Sequence, residues 1–365
     1  MKYNNLIDVY KETLKDSKLY INTRSSHWDE WYDKNEKFFS VENLINFRNE
    51  RVLSAGLDDS VNVTSKLDLY ELLEDFDGEF LKKNLPKKNI GNSNKAIKIL
   101  GHYFDYGIIH HLKWFEKIEK HLKDNTKILE IGGGFGSFAR IILKNKNLKY
   151  FLIDLPEANL QSNYYLQNHF PEKKIFNYID FKNKEISSEI NKYDIFILPP
   201  NTLKILGEKN IYFDFFINTR SFMEMKKETI KNYFNFIQNN LSENGHLLNI
   251  NRYTKSVVGE EIKFHEYPYD DAWEVIISEK SFRQNHIHFL LTKRNKKKKN
   301  CNIKDELNKL SQNVKYSKKK FHLLTQIKKT TKRIIWKFIH NFLLLVIGKD
   351  KIRKLSNIFY NMSVK

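Results

Sequence analysis

Glu130 closes a short apolar run, KILEI, and is followed by Gly132, Gly133, Gly134 and Gly136, where a helix-compatible stretch begins. Glycines let a backbone pass close to a ligand, and the first N–H groups of a new helix are free to meet polar or anionic atoms. The next apolar run ends at Asp154, followed by Leu155. A carboxylate at that position can accept the hydroxyls of a ribose. Together these residues outline a cradle for an adenosine-type ligand. A dinucleotide pattern can also be laid over Gly134, Gly136 and Ala139, so a nicotinamide enzyme stands as an alternative.

The elements that must position this cradle follow from periodicity. Five apolar runs read as strands: Lys127 to Ile131, Tyr150 to Asp154, Asp194 to Leu198, Tyr212 to Ile217 and His246 to Ile250. Helix-compatible stretches separate most of them, which predicts an α/β fold with a parallel sheet covered on both faces. Trp273 to Ser278 and His286 to Arg294 follow with no long helix between them, an antiparallel hairpin closing one edge. Lys174 to Ile179 competes with Asp194 to Leu198 for the third strand. Before the sheet, residues 1–122 read as helices and loops, with Leu6, Ile7, Tyr10 and Leu14, then Leu69, Leu72, Leu73 and Phe76, at helical spacing. Tyr103 to Leu122 is the clearest helix, and its apolar stripe implies packing on the sheet. His110 and His111 point about 100° apart on it and cannot share an ion.

The string E-x-G-G-G-x-G resembles the S-adenosylmethionine motif of class I methyltransferases. A second resemblance runs over most of residues 25–294, through FDFFINTRSFMEM, YFNFIQNNLSENGHLLNINRY and HEYPYDDAWEVIISEKSFRQNHIHFLLTKR. It is similar to a bacterial sugar O-methyltransferase family, matching at Asn218, Ser221, Phe222, Glu224, Met225, Asn251, Arg252 and Tyr267 to Asp270. The resemblance implies a Rossmann-like class I methyltransferase fold, a mostly parallel seven-stranded sheet of order 3-2-1-4-5-7-6. The domains are then a helical cap or substrate domain (1–122), the methyltransferase domain (123–294) and a basic tail (295–365). It also implies S-adenosyl-L-methionine as cofactor and a sugar hydroxyl of a surface polysaccharide or glycolipid as acceptor.

On this reading Glu130, Gly132, Gly133, Gly134, Gly136, Asp154, Leu155 and Asn218 bind the cofactor. Glu224 and His265 are candidate bases, because a sugar hydroxyl is a poor nucleophile until its proton is accepted. Ser221, Arg252 and Tyr267 are candidate acceptor contacts. Trp28 and Trp31 could cap the acceptor by stacking. Glu224, Asp270 and Asp271 could contribute to a divalent ion, and His286 and His288 share a strand face, but no dense ligand motif calls for a metal.

Composition bounds the alternatives. The chain of 365 residues contains 27 Phe and 19 Tyr, enough for a full core, and one cysteine, which excludes internal disulfides and cysteine clusters. The formal net charge of +19 is concentrated in residues 295–365, which carry 20 Lys and Arg against three Asp and Glu. Residues 315–354 mix those bases with Ile, Phe, Trp and Leu, a composition suited to a helix on an anionic membrane surface. The rest is nearly neutral, so the charge does not call for a nucleic-acid partner. The N-terminus lacks the apolar core of a signal peptide, so the expectation is a cytoplasmic protein, peripheral at the inner membrane face. A nucleic-acid or small-metabolite methyltransferase, and a non-catalytic membrane-docked scaffold, are the competing readings.

Overall fold

The structure, a computed structural model, describes residues 4–17, 40–49, 72–257, 259–295, 297 and 301–313. Trp28, Trp31, Leu69 and the 315–354 segment lie outside the described residues. Ahead of the main sheet come α1 (Asn4–Ser17), α2 (Val41–Ile45), α3 (Gly78–Asn84) and α4 (Tyr106–Ile118). An antiparallel hairpin, β1 (Ile97–Ile99) and β2 (His102–Phe104), stands before α4. The helix expected from Tyr103 therefore starts three residues later. Asp105 stops it, because its Oδ1 accepts from the Ile108 N–H at 2.9 Å as an N-cap while its other oxygen pairs with Arg48.

The main sheet alternates with helices: β3 (Lys127–Ile131), α5 (Ser137–Asn145), β4 (Lys149–Ile153), α6 (Pro156–His169), β5 (Ile175–Phe176), α7 (Tyr178–Asn183), α8 (Ile186–Glu189), β6 (Ile195–Leu198), α9 (Leu203–Glu208), β7 (Phe213–Thr219), α10 (Lys227–Asn240) and β8 (Leu241–Arg252). A separate hairpin, β9 (Thr254–Val257) with β10 (Glu260–Lys263), precedes β11 (Trp273–Ser281), β12 (Gln284–Arg294) and α11 (Ile303–Asn313). The eight-stranded order is β11-β12-β8-β7-β3-β4-β6-β5. Strands β3 to β8 pair in parallel, and β12 is antiparallel to both β8 and β11. This is a Rossmann-like α/β fold carrying the expected class I order. One feature differs from the seven strands expected. Both competitors for the third position join the sheet: β6 takes the place beside β4, and the two-residue β5 adds an eighth strand at the edge.

The strands are apolar on both faces because helices cover both. On one side Ile128, Tyr150, Leu152, Ile217 and Ile250 pack with α4, α5 and α6 in a core that extends to Leu6, Tyr10 and Phe47. On the other, Leu129, Phe151, Phe196 and Phe216 pack with α10, and Ile303, Leu307 and Leu310 of α11 join that core. Each such side chain taken from water contributes about 1.5–3 kcal/mol. The chain beyond Arg294 is thus partly built into the domain: α11 packs on β11, with Glu306 accepting from the Ser278 hydroxyl. No helix among the described residues is long and apolar enough to cross a membrane.

Candidate active site

Parallel strands β3, β4, β7 and β8 end at one rim, where open α/β sheets bind ligands. On β3 the final residues turn sharply: the Gly132 N–H donates to the Ile153 carbonyl at 2.8 Å, tying the loop to the end of β4. Gly132 has φ +72°, and a Cβ there would land on the side chain of Ser221 at the end of β7. Gly134 has φ +56° and open space where a Cβ would be, so the loop is uncovered on that side. Gly133 lies over Glu130, and Gly136 enters α5 against Leu166. Between them Phe135 points the other way. Its ring meets Phe47 at 5.4 Å and Tyr165 at 5.0 Å, and the Arg48 guanidinium sits 5.2 Å from it, so the N-terminal layer anchors the loop.

Glu130 is buried beneath the loop. Its Oε2 accepts from the Tyr150 hydroxyl at 2.7 Å, while Oε1 is buried with no hydrogen-bond partner. Burial raises its pKa to about 7, against the Tyr150 hydrogen bond, and the Asp154 charge pushes the same way. Asp154 accepts from the Gly134 N–H and the Leu155 N–H, each at 2.7 Å. Desolvation raises it too to about 7, despite those two bonds, with the charges of Glu157 and Glu224 adding to the rise. An orphan carboxylate oxygen needs a donor or a cation. A cationic adenosine compound with ribose hydroxyls fits both acids, so these residues suit S-adenosylmethionine.

The other half of the rim is built from amides. Asn218 is fully buried: it donates to the Ile131 carbonyl at 2.9 Å and accepts from the Phe222 N–H at 3.1 Å and from Asn251 at 2.8 Å. Asn251 also donates to Asn249 and accepts from the Met223 N–H, and Asn249 donates to the Tyr269 hydroxyl. This buried ladder fixes the 3₁₀ turn Phe222–Glu224 against the glycine loop. Asn218 thus ties the end of β7 to the end of β3 and to the Phe222 turn.

Glu224 sits half-buried on that turn, ion-paired with Lys255 of β9, and its charge reaches both Asp154 and Arg220. His265 lies on the turn Phe264–Glu266. Desolvation lowers its pKa, and the charges acting on it are those of Glu266 and Lys263 on its own stretch of chain. Tyr267 is a core ring packed against Phe222, Phe234 and Phe264, its hydroxyl buried without a partner. Only Glu224 of the two candidate bases is thus coupled to the cradle, and the Tyr267 ring supports the Phe222 turn from within the core.

The candidate ion ligands disperse: Asp270 pairs with Arg294, Asp271 with Lys304 and Glu224 with Lys255. His288 is held by the Tyr253 and Ser278 hydroxyls at 3.1 and 3.0 Å, whereas His286 is exposed. Among the described residues no group of three His, Cys, Asp or Glu side chains could hold a metal. His110 is fully buried beside Tyr106, and desolvation lowers its pKa to about 3; His111 meets the Ser137 hydroxyl at 3.0 Å. Sequence reasoning missed Tyr150, Lys255 and Arg220. The first two meet their carboxylates only through strand register and hairpin placement. Arg220 carried a faint signal, as the residue between two motif positions, Asn218 and Ser221.

No family model matches the chain, and no curated protein matches it. Among solved structures it is similar to yhhF from Escherichia coli, described as a methyltransferase, at 12% identity over 51% of this chain and 85% of that one, with a TM-score of 0.34. It is similar to the mitomycin 7-O-methyltransferase MmcR at 13% identity, over 47% and 49% of the two chains, with a TM-score of 0.33. A third, SMU.776, is described as a methyltransferase complexed with SAH: 10% identity, 55% and 57% coverage, TM-score 0.37. The matches to MmcR and SMU.776 span about half the length of those proteins.

Proposed function

We propose that this chain is an S-adenosylmethionine-dependent O-methyltransferase acting on a sugar hydroxyl in surface polysaccharide or glycolipid assembly. The observation that carries the cofactor assignment is the buried Glu130 Oε1 without a partner, set under a glycine loop whose Gly134 wall is open and beside Asp154 at the next strand tip. S-adenosylmethionine, when bound, supplies an electrophilic methyl carbon whose bond to sulfur breaks as the acceptor oxygen attacks, the electron pair leaving on sulfur. The chain's own work is chiefly positioning and exclusion of water. Glu130 and Asp154 hold the positive and ribose ends, and the Ser221–Glu224 turn faces them. Glu224 accepts the hydroxyl proton, and Lys255 holds its carboxylate in place.

The sugar acceptor rests on the resemblance through the Asn218–Met225, Asn251–Arg252 and Tyr267–Asp270 strings, and the membrane contact on the composition of residues 315–354. Calorimetry with S-adenosylmethionine, followed by mass spectrometry of candidate glycans after incubation, tests the proposal. Micromolar cofactor binding that Asp154→Ala weakens, with a mass gain of one methyl group on a sugar, is the expected result. A protein that binds no S-adenosylmethionine is instead a scaffold. Methyl gain on RNA and not on glycans would move the acceptor to nucleic acid.

A further inference from the structure

Beside the cradle stand two guanidinium groups, those of Arg220 and Arg252, that form no salt bridge among the described residues. Arg220 follows β7 and Arg252 ends β8, and these strands are parallel neighbours in register at Thr219 and Ile250. The Arg220 N–H donates to the Ile250 carbonyl at 2.6 Å, so the two arginines leave adjacent strand tips about 4.8 Å apart. Both are half-buried, and the Nε atom of each is buried with no hydrogen-bond partner. Neither makes a salt bridge among the described residues, although Glu224, within electrostatic reach of Arg220, is committed to Lys255. Arg220 holds φ +61°, a strained conformation for a side chain of its size.

Half-buried cations without an ion pair and local strain destabilise a fold, and such features persist where a ligand uses them. Arg220 immediately precedes Ser221, whose side chain abuts Gly132 of the cofactor loop. An anion held here would therefore sit next to the space where methyl transfer takes place. Planar guanidinium forks match the oxygens of a phosphate or carboxylate. We propose that Arg220 and Arg252 form a clamp for an oxyanion carried by the methyl acceptor, so that the acceptor is an anionic sugar, phosphate-bearing or carboxylate-bearing, and not a neutral one. This rests on the methyltransferase reading for its meaning, but the clamp is testable separately. The anion fixes the sugar ring, and Glu224 on the same turn meets the hydroxyl.

The test is calorimetric titration of the full chain with pyrophosphate, with glucuronate and with neutral methyl glucoside, each in the presence and in the absence of S-adenosylhomocysteine. One of the two anions is expected to bind at least tenfold more tightly than the neutral sugar, and which one distinguishes a phosphate from a carboxylate source. Arg220→Gln and Arg252→Gln should each weaken that anion at least tenfold, leave S-adenosylhomocysteine affinity within twofold, and leave the melting temperature of the free protein unchanged or higher. Arg220→Lys should recover part of the affinity. The clamp is refuted if neither anion binds more tightly than the neutral sugar, if the Gln variants bind the anion as the parent does, or if they lower the melting temperature while anion binding is unaltered. Failure of S-adenosylhomocysteine to bind would refute the cofactor site alone, since the anion titrations without it still report on the arginines.

Discussion

The two halves of the sheet rim solve opposite electrostatic problems. At the tips of β3 and β4 the walls are glycine backbone and the functional groups are acids held near pKa 7 by burial, one with an orphan oxygen. At the tips of β7 and β8 the walls are buried amides and the groups with no salt bridge among the described residues are guanidiniums. The first half is an incomplete anion, suited to a positive ligand; the second is an incomplete cation. They touch through Ser221 against Gly132 and through the Asn218 amide on the Ile131 carbonyl. Each half leaves a charge problem that folding does not resolve among the described residues.

The contact between the halves is the place to break the arrangement. Gly132→Ala puts a methyl group onto Ser221 at a positive φ, and overpacking together with the left-handed conformation should cost about 3 kcal/mol in urea unfolding. Adding Ser221→Gly should return the packing share of that loss, and an additive double mutant would mean the halves are not coupled there. Next in size, Asp154→Asn removes one charged acceptor from the acidic half. Cofactor affinity by calorimetry should drop roughly tenfold to hundredfold, as expected for a hydrogen bond to a charged group. Asn251→Leu strands the Asn249 oxygen and the Met223 N–H in the amide half, which should cost about 1–3 kcal/mol of stability while leaving the acids in place.

The smallest effect is a pH dependence that separates the halves. Glu130 and Asp154 are raised to about 7 from ordinary values of 4.5 and 3.8. Between about pH 4 and 7 the folded free protein therefore holds more protons than the unfolded chain, and its stability declines as pH rises through that window. Cofactor binding goes the other way, because the sulfonium favours the ionised acids. Affinity at pH 6 should be about tenfold below that at pH 8, and Glu130→Gln should flatten the profile. A profile unchanged in that variant would assign the titration to Asp154.

Much of the fold was legible in the residues. The strand at Lys127–Ile131 sits where the apolar run places it, and the alternation with helices yields the parallel sheet, because a strand buried on both faces must be apolar throughout. The Tyr103 start of α4 overran strand β2 and the local N-cap signal of Asp105; what no local pattern shows is that Arg48, far away in sequence, pairs with the other oxygen of that cap. The eighth strand was legible only as a competitor for the third position, because two-residue β5 is too short to carry a period.

The sequence by itself determined the local chemistry of this protein: a glycine run that only a tight turn accommodates, acids at the ends of two apolar strands, and an Asn-rich, Arg-bearing pair of strand tips. Only the tertiary structure decided which of these act together. Strand register brought Tyr150 under Glu130, hairpin placement gave Glu224 to Lys255, and the β7–β8 pairing left Arg220 and Arg252 on adjacent strand tips with no salt bridge among the described residues. The reason is physical. Turn and strand propensities act within a few residues, whereas partnership between charges depends on distances that the packing of the sheet alone sets.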